Sequence, residues 1–530
     1  MRFDFEFFTF RFKFHIMSFA KVHSAQTALL DAQIVTIEVD LSRGLYAFSV
    51  VGLPDKAVEE ARDRISAAIK NSGFESPKQK NQKVVVSLAP ADIRKEGPHF
   101  DLGMAIAYLL AAEDLKIQPE EKTGKRIFIG ELALDGTLRP VSGVLPLAEE
   151  AKRRNFAEVF VPKENAREAA LIRGVKIFSV GSLKETVSHL RGEKMLKPEP
   201  ETDLDEAEFE TAIDVSDIYG QENAKRALIL SAAGGHNLAM WGPPGTGKTM
   251  LARALAGILP PLAFDEVIEV TGIHSVAGTL KGKLVTAPPF RSPHHTSSYV
   301  ALVGGGNVPK PGEVTLAHRG VLFLDEFPEF DRRVIEALRQ PLEDRIVSVS
   351  RARGSARFPA SFILVAAMNP CPCGKWGSKG ETCICLPGNL IRYRRKISGP
   401  VADRIDLWIE VPRFSLKSLG KGGSGEKSVE IRKRVAAARQ KQAARFKKLG
   451  IKARINAEIG ARDLEKAAPL EDKTRRAFTA SAEKLGLSAR SYHRLIKLAR
   501  TIADLEGDEN VASKHLMEAL QYRPKREEIV

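Results

Sequence analysis

Apolar and polar residues alternate through the first 16 positions, where Phe3, Phe5, Phe7, Phe8, Phe10, Phe12 and Phe14 sit among polar or charged neighbours. A period of two is the pattern of a strand. Met17 begins a more ordinary sequence, as an upstream start-codon misassignment would produce. Residues 1–17 are therefore expected to be an extra tail, poorly ordered or loosely added to a sheet. Beyond them the pattern switches repeatedly between strand and helix. Ile34 to Val39 and Ala47 to Gly52 read as strands paired around a turn at Ser42-Arg43-Gly44. Pro54, Val58, Ala61, Ile65, Ala68 and Ile69 mark one face of a helix over 54–72, with the proline near the start, where helices tolerate it. Lys83 to Leu88 is another strand, and Asp101 to Ala112 an apolar helix. Ile127 to Gly130, Leu138 to Val141, a helix over 143–154 and Val159 to Pro162 continue a mixed α/β domain over 18–190.

Residues 191–212 read as a linker. Lys197-Pro198-Glu199-Pro200-Glu201 and the acidic run to Glu210 disfavour packing. Three apolar segments then end at residues with chemistry. Asn237 to Trp241 is a short buried strand, and Met250 to Ala256 reads as a helix. Between them lies Gly242-Pro243-Pro244-Gly245-Thr246-Gly247-Lys248-Thr249, a phosphate-binding P-loop in its required strand–loop–helix setting. Its glycines let backbone N–H groups turn inward around phosphates, and the helix N-terminus adds a positive dipole end. Lys248 reaches the β- and γ-phosphates and Thr249 ligates Mg²⁺. Val321 to Leu324 is a strand ending in Asp325 and Glu326, the Walker B pattern. Asp325 helps hold Mg²⁺ beside the P-loop, and Glu326 polarises the attacking water. Phe362 to Met368 is the third strand, ending in Asn369. The cofactors these residues call for are ATP and Mg²⁺.

Composition adds partners and compartment. With 530 residues the chain exceeds one domain, and 43% hydrophobic residues suffice for packed cores. Its 81 basic against 66 acidic residues give a net charge of +15, which favours polyanions, nucleic acid first. No apolar run reaches the length of a membrane span, and no signal-peptide pattern is present. The four cysteines, Cys371, Cys373, Cys383 and Cys385, form no secreted disulfide framework, so a reducing cytoplasm is expected. Four thiolates suit tetrahedral Zn²⁺, although C-x-C is tighter than the usual C-x₂-C. Structural zinc, free thiols and a disulfide stand as alternatives. Arg345 to Pro359 reads as a hairpin with a basic tip, whose Arg351, Arg353 and Arg357 could contact DNA phosphates. A helix over 426–454 carries Arg432, Lys433, Arg434, Arg439, Lys441, Arg445, Lys447, Lys448, Lys452 and Arg454. It is either a solvated face or a DNA-tracking surface.

Several segments resemble known families. Gly130 to Gly143, followed by Val161-Pro162-Lys163-Glu164-Asn165, is similar to the Lon protease domain. His99 and Leu145 occupy the positions of that family's Ser–Lys dyad, which leaves neither nucleophile nor base. Asp217-Ile218-Tyr219-Gly220-Gln221 is similar to the AAA+ segment beside the adenine, which implies a nucleotide contact for Tyr219. Asn369 matches sensor 1, which orients the lytic water. Ser398 to Asp406 resembles the arginine-finger region of magnesium-chelatase-like ATPases. Arg404 would then reach the γ-phosphate held by a neighbouring subunit. Arg490 fits the sensor 2 position of a helical lid.

Over about residues 18–525 the chain resembles the YifB/ComM family of magnesium-chelatase-like AAA+ ATPases. The implied fold is α/β: a Lon-protease-like (S5 domain 2-like), ChlI-type domain over 18–190 without its dyad, and a linker over 191–212. An AAA+ P-loop NTPase core with pore insertions and the four-cysteine segment follows over 213–412, with a helical lid over 413–530. The resemblance implies a cytoplasmic ATPase that assembles as a homo-oligomer, a hexameric ring, on single-stranded or branched DNA. Its role would be that of a branch-migration helicase promoting homologous recombination in natural transformation. A magnesium-chelatase-like ATPase subunit and a protein-remodelling AAA+ ATPase are the alternatives.

Overall fold

The computed structural model describes residues 18–117, 125–204, 213–280, 282–306, 309–351, 354–377, 382–413 and 425–523. The tail over 1–17 and most of the acidic end of the linker lie outside them. The chain divides into two compact units. The first runs to Asp203 and takes back Ser275–Leu284; the second holds Leu204–His274 and Val285–Val530.

The first unit is built on a seven-stranded sheet. Its strands are β1 (Ser18–Ala28), β2 (Asp31–Arg43), β3 (Ala47–Val51), β4 (Gln82–Ala89), β5 (Arg126–Phe128), β8 (Glu158–Pro162) and β9 (Lys176–Val180); β6 (Glu131–Leu132) and β7 (Leu138–Arg139) form a separate small ladder. The sheet order is β3-β4-β2-β1-β5-β8-β9. Strand β2 buries Val35, Ile37, Val39 and Leu41, every second residue, against the core. The expected pairing of β2 with β3 does not occur. Strand β4 lies between them, antiparallel to β2 and parallel to β3. The cause is the helix Lys56–Asn71, which carries the chain back so that β3 and β4 make a parallel β-helix-β unit. That helix buries Val58, Ala61, Ile65, Ala68 and Ile69, as its spacing predicts, and the Asp55 side chain caps it through the Val58 N–H at 2.8 Å. Phe128, Phe160 and Phe178 stack across β5, β8 and β9 with centroids 4.9 and 5.0 Å apart. At the dyad positions, His99 Nε2 bonds the Ser142 carbonyl at 3.0 Å and Leu145 is buried, so the nucleophile–base pair is absent there.

The second unit holds a parallel five-stranded sheet. Its strands are β10 (Leu238–Trp241), β11 (Phe290–Arg291), β14 (Val321–Leu324), β17 (Ile363–Met368) and β18 (Leu407–Glu410); a short ladder, β12 (Gly304–Gly305) with β13 (Lys310–Pro311), stands apart. The order is β11-β14-β17-β10-β18. Strands β14 and β17 are buried along their whole length, which is why they read as unbroken apolar runs. Strand β17 separates the strand before the P-loop from the Walker B strand. Three strand ends thereby deliver Gly242, Asp325 and Asn369 to the same edge of the sheet. The hairpin of β15 (Ile346–Arg351) and β16 (Gly354–Pro359) forms as its sequence predicts, with Val347, Val349, Ala356 and Phe358 buried on one face.

The C-terminal helices share one hydrophobic core with this sheet; Leu238 and Val365 belong to the same cluster as Ile431, Val435, Leu495 and Ile502. The helix Ser428–Leu449 is basic for a structural reason at three of its arginines. Arg432 donates to the Gly257 carbonyl at 2.6 Å and Arg439 to the Ala232 carbonyl at 2.6 Å, near the C-terminal ends of two helices. Arg445 forms a bidentate pair with Asp504 at 2.6 and 2.7 Å. Cations there satisfy orphan carbonyls and oppose the negative end of the helix dipole. Neither a wholly solvated face nor a wholly DNA-facing one describes this helix. Among the described residues, no helix is long and apolar enough to cross a membrane.

Candidate nucleotide site

The P-loop leaves β10 at Gly242. A Cβ there would lie 2.2 Å from the Val411 carbonyl oxygen, so the neighbouring strand requires glycine. Gly247 has φ +88° and forms the turn into the helix Lys248–Ile258. Lys248 is buried and folds back over the loop. Its Nζ donates to the Gly242 and Pro243 carbonyls at 2.7 and 2.9 Å and to Asn369 Oδ1 at 3.3 Å. Burial lowers its pKa; the Asp325 carboxylate opposes that shift. Thr249 Oγ1 donates to Asp325 Oδ2 at 3.0 Å. Four predicted residues from three separated segments thus meet.

A hydroxyl and a carboxylate at hydrogen-bond distance are hard oxygen donors of the kind Mg²⁺ takes while keeping several waters. The residues fit that ion. Glu326 follows in the left-handed region at φ +50°. That bend swings its carboxylate away from the strand direction and onto His295, whose Nδ1 lies 3.2 Å from Glu326 Oε2. The sequence reading did not assign His295 to this site. It lies just beyond β11, which pairs in parallel with β14, so the two strand ends emerge side by side. A two-residue strand leaves almost no periodic signal. His294 turns instead to Thr296 Oγ1 at 2.8 Å.

Arg404 and Arg490 come together at a different place, on Glu343. Arg404 is buried and pairs with Glu343 Oε2, while its other terminal nitrogen donates to the Pro400 carbonyl at 2.6 Å. Arg490, 66% exposed, reaches Glu343 Oε1 at 3.3 Å. Arg494 holds the Arg404 carbonyl at 3.0 Å and Asp406 at 2.7 Å. These groups line a cleft of roughly 380 Å³ together with Arg345 and Lys497. Burial, then Arg490, Arg494 and Arg339, lowers the pKa of Arg404. Asp403, Asp406 and Glu458 line the same cleft, and Asp406 pairs with Arg494. Glu343 and Arg494 had no sequence signal, since each acts through residues about 60 to 150 positions away.

Tyr219 is half exposed, and the neighbouring Gln221 donates to the Pro412 carbonyl at 2.8 Å. Arg357 is exposed on β16, whereas the side chains of Arg351 and Arg353 lie outside the described residues. Cys371, Cys373, Cys383 and Cys385 form one cluster, with all four sulfurs within 4.8 Å of one another. Backbone N–H groups of Lys375 and Ile384 bring the Cys373 thiol down to about 6.

Family profiles match in the same order as these parts. Residues 37–165 match "Subunit ChlI of Mg-chelatase", 214–419 match "Magnesium chelatase, subunit ChlI", and 425–523 match its C-terminal portion. The chain is 44% identical to the competence protein ComM of Haemophilus influenzae over 513 residues, 96% of this chain and 98% of that protein. It belongs to the ComM/YifB family of magnesium-chelatase-like AAA+ ATPases. The uncharacterised protein YifB of Escherichia coli is 42% identical across 96% of this chain and 97% of its own length. A more distant likeness, 26% identity over 168 residues, reaches 29% of this chain and 20% of the DNA replication licensing factor mcm7 of Schizosaccharomyces pombe. The family supports the ATPase reading of the P-loop and strand-end residues.

Proposed function

We propose that this protein is an ATP-driven DNA motor that works as a homo-oligomeric, hexameric ring in the cytoplasm. Its task is branch migration of single-stranded or branched DNA during recombination, as in natural transformation. The observation that carries the ATPase half is the meeting of Lys248, Thr249, Asp325 and Asn369 at one edge of the parallel sheet. Backbone N–H groups of Gly245 to Thr249 receive the phosphates, with Tyr219 beside the base. Lys248 leaves its carbonyl partners for the β- and γ-phosphate oxygens. Thr249 and Asp325 would hold Mg²⁺, which neutralises phosphate charge when bound. Glu326 takes up the attacking water, and Asn369 fixes its line of approach.

Arg404 serves the phosphate bound by a neighbouring subunit, and Arg490 acts as sensor 2 of the helical lid. What supports this is their joint position on one carboxylate, Glu343, in a cleft that also holds Arg345, Arg494 and Lys497. A transferred phosphoryl group is the anion such a cluster suits. DNA is supported by the net charge of +15, by exposed Arg357 on the hairpin and by the ComM relative.

ATPase rate measured with and without single-stranded and branched DNA, at several protein concentrations, tests the reading. DNA stimulation with a rate per subunit that rises on assembly is the expected result. Rates that rise on assembly but ignore DNA would shift the role to a chelatase-like or protein-remodelling motor.

A further inference from the structure

We propose that Cys371, Cys373, Cys383 and Cys385 bind one Zn²⁺ ion as thiolates, and that this metal knot sets the position of Asn369. The second half rests on the reading of Asn369 as the residue that orients water. The sulfur geometry carries the first half. Cys371 Sγ lies 3.4 Å from Cys373 Sγ and 3.7 Å from Cys383 Sγ, and Cys373 lies 3.6 Å from Cys383. A tetrahedral ion with bonds of about 2.3 Å to sulfur has sulfurs roughly 3.8 Å apart along each edge. A disulfide needs about 2.05 Å, so these are four separate sulfurs converging on a centre. A cluster of several irons would sit between its thiolates and spread them wider. Cys371 is wholly buried and receives the Trp376 backbone N–H at 3.3 Å, an outer-shell bond of the kind that orients a metal thiolate.

The knot stands directly against the nucleotide residues. Cys371 follows Asn369 by two positions at the end of β17. Gly374, just past Cys373, packs on the P-loop: a Cβ there would lie 2.7 Å from Pro244 Cδ. On the far side, Cys385 leads within two residues into the helix Pro387–Arg394. Tyr393 of that helix returns its hydroxyl to the Asn369 carbonyl at 3.1 Å. Asn369 is therefore gripped from both ends of a segment whose described residues form no helix or strand between Met368 and Pro387. An ion that ties the two C-x-C pairs supplies the order that a core would otherwise provide.

Metal analysis of the full-length protein, purified without chelator, is the direct test. One zinc per chain is expected, and its loss in the Cys383→Ser/Cys385→Ser variant. In that variant kcat should fall roughly tenfold or more, the usual scale for a disturbed metal shell, with ATP affinity nearly unchanged. Cys385→His keeps a zinc ligand and should retain both the metal and most of the turnover. Absence of zinc from the unaltered chain, or iron in its place, overturns the site whether or not the double variant folds. Zinc loss with unchanged kcat overturns the positioning role. An Asn369→Ala variant with full zinc and full turnover would instead remove the water-orienting reading and leave the metal site standing.

Discussion

His295 Nδ1 lies 3.2 Å from Glu326 Oε2, which joins the loop after β11 to the second carboxylate at the end of β14. Glu326 stands at φ +50°, a conformation that a glutamate adopts only when its surroundings hold it. His295 is the side chain that holds its carboxylate. His295→Ala should therefore lower kcat by roughly tenfold, a positioning effect smaller than loss of the base itself, and leave ATP binding intact. Steady-state kinetics beside a nucleotide-binding titration would decide it. A parallel rise in Kd for ATP would mean that His295 supports the fold of the pocket instead.

Lys248 and Glu326 should separate binding from hydrolysis. Lys248→Ala removes the cation that can reach the phosphates and should abolish ATP binding. Glu326→Gln keeps shape and loses the base, so ATP should bind and persist with hydrolysis slowed by about 100-fold or more. Filter binding and single-turnover hydrolysis distinguish the two. Normal hydrolysis in both variants would refute the site assignment.

Arg404 should act on a neighbour's nucleotide. Arg404→Ala should bind ATP normally and hydrolyse it slower by about 10³-fold. Mixing Arg404→Ala protein with Lys248→Ala protein restores interfaces that have one intact P-loop and one intact arginine. Activity should reappear in the mixture. Two inactive proteins that stay inactive together, while still assembling, would place the arginine's role within its own subunit.

Glu168 offers a pH test in the first unit. It accepts hydrogen bonds from Ser275 Oγ at 3.2 Å and Asn165 Nδ2 at 3.4 Å, yet burial raises its pKa from 4.5 to about 7. Folding thus favours its protonated form. The associated stability is fully present below about pH 4.5 and is lost as pH rises through 7. The difference is about 3 kcal/mol at most. Thermal melts between pH 5 and 8 should show this decline, and Glu168→Gln should flatten it. A variant with the same slope as the unaltered chain would assign the effect to other groups.

The candidate nucleotide residues were legible in the chain because their pattern is local. Gly242 to Thr249 carries the glycines that a tight loop between that strand and helix needs. Asp325 and Asn369 each close an apolar run whose burial forces it into a parallel sheet. The helix Lys56–Asn71 was likewise written in the spacing of Val58, Ala61, Ile65 and Ile69. These features depend on neighbours within one or two turns of chain, so periodicity and backbone sterics determined them.

Strand order was a different matter. Alternation in β2 and β3 says that both are strands, but not that β4 comes between them. The same limit hid the partners of charged residues. Nothing in a run of lysines and arginines says that Arg432 and Arg439 turn inward to helix carbonyls while their neighbours remain in water. Nor could the sequence show that Arg404 and Arg490 share Glu343, or that His295 faces Glu326. A hydrogen bond or ion pair between distant residues exists only once packing has brought their backbones within a few ångströms. The sequence by itself determined which residues stand in the P-loop and at the ends of the apolar strands. The tertiary structure decided which other groups hold them, because sheet order and helix docking alone set those distances.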